Sequence, residues 1–269
     1  MNEQGWLNIY KPLNISSFNV IYNIKKKFNI VKLGHVGTLD PLAEGILPIA
    51  IGKTTKLISF IQNSIKEYDF EVKWGEETST DDKEGEIINI SNKIPSESDI
   101  IKALKKFECK FFQSPPKASA IKINGIRSYK LFRSNIDFET PKKQVQLFKS
   151  KLISTNSNLS RIIIKCGSGF YVRSLARDLA RELGTKGHVF SLKRTKVGKF
   201  CINNSILLDD LLKIRQTISE FKEIQPSISM LDDILAYEVD DEKLIKEISY
   251  GKSVEINKFN FNKDSLNLD

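Results

Sequence analysis

The sequence predicts an α+β fold, with a mixed, mostly antiparallel central sheet, flanking helices and a short C-terminal extension. Three observations carry this. Strand-like segments outnumber helical ones and do not alternate strictly with them, which disfavours a doubly wound parallel sheet. Several segments alternate polar and apolar residues, as strands with one wet face do. Asn124-Gly125 stands between alternating runs, a strong short-range hairpin signal. The chain has 269 residues, 40% hydrophobic and 28% charged, enough for one large domain. That domain is expected over residues 1–230, with 231–269 a short acidic segment.

Residues 6–10 read as a strand stopped by Lys11-Pro12. Ser16 or Ser17 caps a helix to about Phe28, since Val20, Ile21, Ile24 and Phe28 recur at helical spacing. Residues 34–48 hold three glycines, two prolines, His35 and Asp40, a stiff loop feeding an apolar strand that ends at Gly52. Asp40 precedes a proline and is therefore pushed away from helical angles. Residues 53–64 predict a helix with Leu57, Ile58, Phe60 and Ile61 facing inward. Residues 67–74 alternate as a half-buried strand. Residues 76–85 are a polar, acidic loop, and 86–90 another strand. Ser96 caps a helix to about 107, amphipathic through Ile100, Ile101 and Leu104. The hairpin lies within 115–129. Residues 142–153 and 160–166 are strands joined by a polar loop, and 171–183 is a helix stopped by Gly184. Strand material at 188–200 and a short helix at 207–215 follow. A helix at 240–249 and a strand at 252–256 are expected in the tail.

The net charge is +9. Residues 231–269 hold ten acidic and five basic residues, so residues 1–230 carry 37 basic against 23 acidic. A phosphate-binding surface is therefore expected in the body. No apolar run approaches the roughly 20 residues of a membrane span. The first residues lack the pattern of a signal peptide. Cys109, Cys166 and Cys201 are far apart, which argues for reduced thiols in the cytoplasm and against a zinc cluster. No phosphate-binding Gly-x-x-x-x-Gly-Lys-Ser/Thr loop, metal-ligand cluster or Ser-His-Asp pattern stands out. His188 reads as structural.

What remains for chemistry is Asp40 with basic and aromatic residues. Gly167 to Arg173 is a second glycine-marked turn, from a strand into a helix. Arg173, Arg177 and Arg181 share one face of that helix, with Asp178 and Glu182 beside them. Arg177 and Arg181 read as a salt-bridged exposed face. Arg173 sits in the first turn, where a cation opposes the helix dipole and needs a partner such as Asp40. That pairing would favour an ionised nucleophile.

With these residues assembled, the chain resembles the bacterial tRNA pseudouridine-55 synthase family, the TruB type. The resemblance rests on Gly34-His35-Val36-Gly37-Thr38-Leu39-Asp40-Pro41-Leu42-Ala43 and on blocks in matching order. These are Lys11-Pro12 with Ser16-Ser17, Lys66-Glu67-Tyr68, the run from Pro115 to Tyr129, the run from Gly167 to Leu175, and Gly187-His188-Val189 with Leu192 to Phe200. It implies a pseudouridine synthase-like fold and isomerisation of a flipped uridine in the TΨC loop of tRNA. It makes Asp40 the nucleophile, attacking either ribose C1′ or C6 of the base. Tyr68 would stack on the base and help remove the C5 proton, and Arg173 would pair with Asp40. Tyr171 would line the pocket, Leu192 would wall the base, and His35 would fill the gap left in the RNA. Lys11 belongs to the implied binding set through support of the loop. A thumb-like hairpin over about 115–143 would grip RNA through Lys122 and Arg127, with Lys117 and Lys130. No cofactor and no metal is implied, the partner is the T-arm of tRNA, and the chain is expected to be monomeric. Asn14 stands where the family usually has glycine, but asparagine tolerates left-handed angles. A tail of this length is short for the family's C-terminal RNA-binding domain and is expected to pack on the body. Two alternatives remain open: a non-catalytic tRNA-binding or remodelling protein, and a carboxylate hydrolase with Glu44 as the second acid.

Overall fold

The computed structural model describes residues 4–215, 217, 221–230, 237–239, 241–255 and 260–261. β1 (Gly5–Lys11) leads into α1 (Ser17–Phe28), with the Ser16 hydroxyl accepting from Asn19 N as an N-cap. β2 (Leu33–His35) and β3 (Ala43–Ile51) flank the Asp40 loop. A 3₁₀ turn, Gly52–Leu57, runs into α2 (Ile58–Gln62). Then come β4 (Lys66–Trp74), β5 (Glu76–Thr78), β6 (Ile87–Ile90), α3 (Glu97–Phe107) and β7 (Lys110–Gln113). The hairpin β8 (Lys122–Ile123) and β9 (Ile126–Arg127) is followed by α4 (Ser128–Arg133). β10 (Lys143–Asn156), β11 (Leu159–Cys166), α5 (Val172–Glu182) and β12 (Gly187–Val197) complete the central unit. β13 (Phe200–Cys201), β14 (Ile206–Leu207) and α6 (Leu208–Lys213) close it. In the tail lie β15 (Tyr237–Glu238), α7 (Glu242–Ser249) and β16 (Asn260–Phe261).

Ten strands form one sheet in the order β14-β1-β3-β12-β4-β11-β10-β7, with β2 beside β3 and β13 beside β12. Among the described strands, β1–β14 and β3–β12 pair in parallel and the other pairs are antiparallel, so the sheet is mixed and mostly antiparallel, as expected. β4 shows why: Lys66, Tyr68, Phe70, Val72 and Trp74 are all buried while the residues between them are half-exposed. Period-two burial of this kind matches a sheet with helices on one face. Phe70, Trp74, Ile162, Leu175 and Leu179 join one core beneath α3 and α5. Ile9, Val20, Ile24, Leu47 and Leu211 join a second between the sheet, α1 and α6.

Several expectations change. The segment after Gly52 is mostly 3₁₀ turn rather than one helix, and Phe60 is 55% exposed instead of facing inward. The tight 3₁₀ turn shifts the helical phase, so Ile61 takes the core position. Ile101 is likewise exposed, and Ile100 packs. The expected loop at 76–85 contains β5, which pairs with β6, and α4 occupies the second half of the thumb region. Residues 155–156 extend β10 rather than forming a loop. Within the expected strand at 252–256, residues 252–255 are not a strand and residue 256 lies outside the described residues. Gly251, at φ 72°, ends α7, and Val254 is the single apolar residue in 252–255. The tail helix starts at Glu242 behind its cap Asp241, and residue 240 is not described. No helix among the described residues is long and apolar enough to cross a membrane.

Candidate active site

Asp40 sits in the β2–β3 loop, and the chain pins that loop at several points. Ser17 Oγ donates to Leu39 O and accepts from Leu39 N, both at 2.9 Å. Asn14 N donates to Pro41 O at 2.9 Å, with Asn14 at φ 61° performing the left-handed turn. Lys11, fully buried, donates from Nζ to Pro12 O and Ile15 O and reaches Pro41 O at 3.4 Å. It therefore acts on the loop and has no surface to offer a nucleotide. Burial pushes its ammonium down to about 8. Arg194 holds the other flank: Nε donates to Ile46 O at 2.8 Å, and Nη2 to Gly37 O at 2.8 Å and Val36 O at 3.4 Å. Gly45 is required where β3 meets β12, because a Cβ there would lie 2.2 Å from Arg194 O.

Arg173 Nη2 lies 2.8 Å from Asp40 Oδ2. Arg173 is further held by Asp82 Oδ2 at 3.0 Å, Thr80 O at 3.0 Å and Ala118 O at 3.1 Å. The Asp82 side chain is 3% exposed, whereas that of Asp40 is 38% exposed. Screening by water is stronger at Asp40. Asp82 and the two carbonyls thus fix the guanidinium, and Asp40 is the partner able to leave it. Tyr171 precedes α5, and the Gln113 amide accepts from Tyr171 N and donates to Tyr171 O. Arg177 is not an exposed-face residue: Nη1 pairs with Asp81 at 2.7 Å and Nη2 donates to Ser114 O, both largely buried. Arg181 is the exposed one.

A cavity of about 440 Å³ opens over Asp40, a size suited to a small ligand or one nucleoside. Its walls include Leu39, Lys66, Tyr68, Ala120, Tyr171 and Leu192, with Arg173 and Arg194. Tyr68 and Leu192 are mostly buried apolar walls. Burial raises the Tyr68 and Tyr171 phenols above their ordinary value, so both stay protonated near neutrality. His35 stands outside the cavity on β2, half-buried, with Nε2 3.2 Å from the Thr38 hydroxyl, which does line it. Burial, then the Arg194 charge, lowers its pKa. Lys122 and Arg127 are cross-strand partners on the exposed thumb hairpin, where Asn124-Gly125 turns at φ 49° and 83°. Arg127 Nη1 donates to Ala120 O, Lys117 pairs with Asp137 at 2.8 Å, and Lys130 is exposed on α4. Asn8, Ser119 and Ser128 are among the other buried polar residues, and the two serines bond each other within the thumb. A larger groove of about 1510 Å³ lies between thumb and body, but Asp40 is not part of it. Glu44 pairs with Lys193 at 2.9 Å and does not line the cavity, so it is not placed to serve as the second acid of the two-carboxylate alternative. No cluster of His, Cys, Asp and Glu suited to a metal occurs among the described residues.

Two residues escaped the sequence reading. Asp82 lay in what looked like a plain acidic loop. Arg194 was quoted only within a block, although strand parity puts it on the same face as Leu192.

Residues 25–172 match the model of the TruB family pseudouridylate synthase N-terminal domain, and residues 173–238 that of the tRNA pseudouridylate synthase B C-terminal domain. The tRNA pseudouridine synthase B of Ehrlichia chaffeensis is 40% identical over 256 residues, covering 94% of this chain and 86% of that protein. The protein of the same name in Caulobacter vibrioides is 39% identical over 251 residues, covering 93% and 81%. Among solved structures, a chain of a Cbf5-Nop10-Gar1 complex aligns with a TM-score of 0.65 and 26% identity, covering 83% of this chain and 60% of that one.

Proposed function

We propose, from the premise that the chain belongs to the TruB family of pseudouridylate synthases, that it isomerises uridine-55 in the TΨC loop of tRNA to pseudouridine. The observation that carries this is one carboxylate, Asp40, on a loop pinned by Ser17, Lys11 and Arg194, ion-paired to Arg173 at the floor of an apolar and aromatic cavity. Relatives named tRNA pseudouridine synthase B support tRNA as the substrate. The base must leave its stack to reach such a cavity, and unstacking costs a few kcal/mol. Tyr68 and Leu192 would cover its faces. Asp40 then attacks C1′ of the ribose or C6 of the base. The N1–C1′ bond breaks, the uracil turns, a C5–C1′ bond forms, and the bond to Asp40 is released, which restores its carboxylate. The C5 proton leaves and N1 gains one, so no redox partner or phosphate donor enters the balance. Tyr68, held protonated by burial, supplies its ring and hydroxyl more readily than a phenolate base. The thumb, through Lys122 and Arg127, meets phosphates of the T-arm, and His35 occupies the space the uridine vacates. A monomeric, cytoplasmic enzyme needing neither cofactor nor metal, with residues 1–230 as the catalytic unit, belongs to the same reading.

The test is incubation with unmodified tRNA transcript and chemical mapping of pseudouridine. Product at position 55 is expected with the parent and none with Asp40→Asn, which should still bind tRNA. Turnover by Asp40→Asn would overturn the mechanism, and binding without product by the parent would favour a remodelling protein.

A further inference from the structure

Helix α1 carries an exposed stripe that the chemistry above leaves unused. Val20 and Ile24 face the core. On the outer side stand Phe18, 72% exposed, and Tyr22, 55% exposed, one helical turn apart. Lys25, Lys26 and Lys27 follow at the C-terminal end. Neither Phe18 nor Tyr22 makes a ring or cation contact among the described residues. Two bare aromatic rings on one helix face are surface that water disfavours.

The charge along the flanking sequence is one-sided, and the acidic residues near α1 are Asp209 and Asp210, exposed on α6, which packs against it. Between Glu3 and Asp40 the sequence has no acidic residue but contains Lys11, Lys25, Lys26, Lys27 and Lys32. Between Glu44 and Glu67 there is again none, against Lys53, Lys56 and Lys66. Gly52 N donates to Lys32 O at 2.9 Å, which sets the turn carrying Lys53 and Lys56 beside Lys32. Lys26, Lys27, Lys32, Lys53 and Lys56 are all exposed. The helix that carries the stripe is also tied to the catalytic loop through its buried side. Ser17, next to Phe18, is the residue bonded to Leu39, next to Asp40.

We propose that this stripe is a second RNA-contacting surface. Bases of the strand flanking the flipped uridine stack on Phe18 and Tyr22, and the following phosphates meet Lys25, Lys26 and Lys27. This rests on the tRNA reading above. Phe18 to Lys26 spans about 12 Å at 1.5 Å per helical residue, room for three or four nucleotides at a stacked rise of roughly 3.4 Å. Aromatic platforms bordered by cations are how proteins hold unpaired strands without reading sequence.

The experiment measures affinity for unmodified tRNA transcript across a salt series, using full-length protein. The variants are Lys25→Gln/Lys26→Gln/Lys27→Gln, Phe18→Ala/Tyr22→Ala, and a control with the same charge loss elsewhere, Lys102→Gln/Lys149→Gln/Lys151→Gln. The α1 lysine variant should bind more weakly, and the slope of log K against log salt should flatten by roughly 2. The aromatic variant should lose roughly fivefold or more in affinity with the slope kept. Both effects must exceed those of the control. If either variant matches the control, the proposal fails, and the stripe would instead face a protein or a second copy of this chain. Pseudouridine formation by the parent is scored in parallel, so failure of the functional reading is distinguishable from failure of this one.

Discussion

Arg194→Lys tests whether the catalytic loop is held by tertiary contacts rather than by its own glycines and prolines. Arg194 is fully buried and spans three carbonyls, on Ile46, Gly37 and Val36. The planar fork reaches both flanks of the loop at once. A lysine has one nitrogen and can satisfy one flank only. At least one buried carbonyl is then orphaned, at about 1–3 kcal/mol, and a hydrogen bond from a charged group, itself about 1.5–3 kcal/mol, is lost. Partial relaxation makes about 3 kcal/mol the working figure. For a chain of this size that corresponds to roughly 6–12 °C in melting temperature. The loop end nearest Gly37 should loosen, moving Asp40 relative to Arg173. A misplacement of about 1 Å costs on the order of 100-fold in rate. Thermal unfolding by circular dichroism and single-turnover pseudouridine formation read the two effects separately. A variant melting within about 2 °C of the parent, with its rate within threefold, would refute the reasoning.

Other consequences follow from the same geometry. Gly45→Ala drives a Cβ to 2.2 Å from Arg194 O at φ 107°, so it should yield little folded protein; recovery of parent-like soluble protein and melting temperature would contradict the β3–β12 close approach. Asp82→Asn removes the buried charge that fixes Arg173 while leaving Asp40 in place. It should cost about 3–5 kcal/mol in urea unfolding and lower kcat at least tenfold; an unaltered kcat would mean Arg173 needs no second carboxylate. Lys66 is buried, its Nζ donating to Gln62 O and Ser64 O, and burial followed by the Arg194 charge lowers its pKa from 10.5 to about 8. The unfolded chain therefore holds the extra proton between about pH 8 and 10.5. Stability of the parent relative to Lys66→Met should rise with pH through that window, by at most about 1.4 kcal/mol per unit, and should be flat below it. A difference that shrinks as pH rises would reverse the sign and sink the argument.

Much of the fold was legible because it is encoded over short distances. The alternation from Glu67 to Trp74 gave β4 and the inward face of Tyr68. Ser16-Ser17 gave the start of α1, with Ser16 the actual cap, and Asn124-Gly125 gave the thumb turn. Asp40 was legible as a carboxylate on a stiff loop, and Arg173 as a cation out of place in a first helical turn. Phe60 was misread because a 3₁₀ turn changes the phase of every residue after it, and apolarity alone does not report phase. Arg177 was misread because an acidic partner one position away, Asp178, disguised a buried pairing with Asp81.

By itself, the sequence determined most of the longer elements, the turn chemistry, the family blocks and the nucleophile candidate. Those depend on backbone preferences and on neighbours within a few residues. Only the tertiary structure decided what holds the nucleophile still. Asp82 and Arg173 are 91 residues apart, and Arg194 and Ile46 are 148 apart. A buried charge must find its partner wherever the sheet brings one, since leaving it unpaired costs several kcal/mol. No local pattern specifies which carbonyl or carboxylate that will be, because the strand order β3-β12-β4 makes the choice.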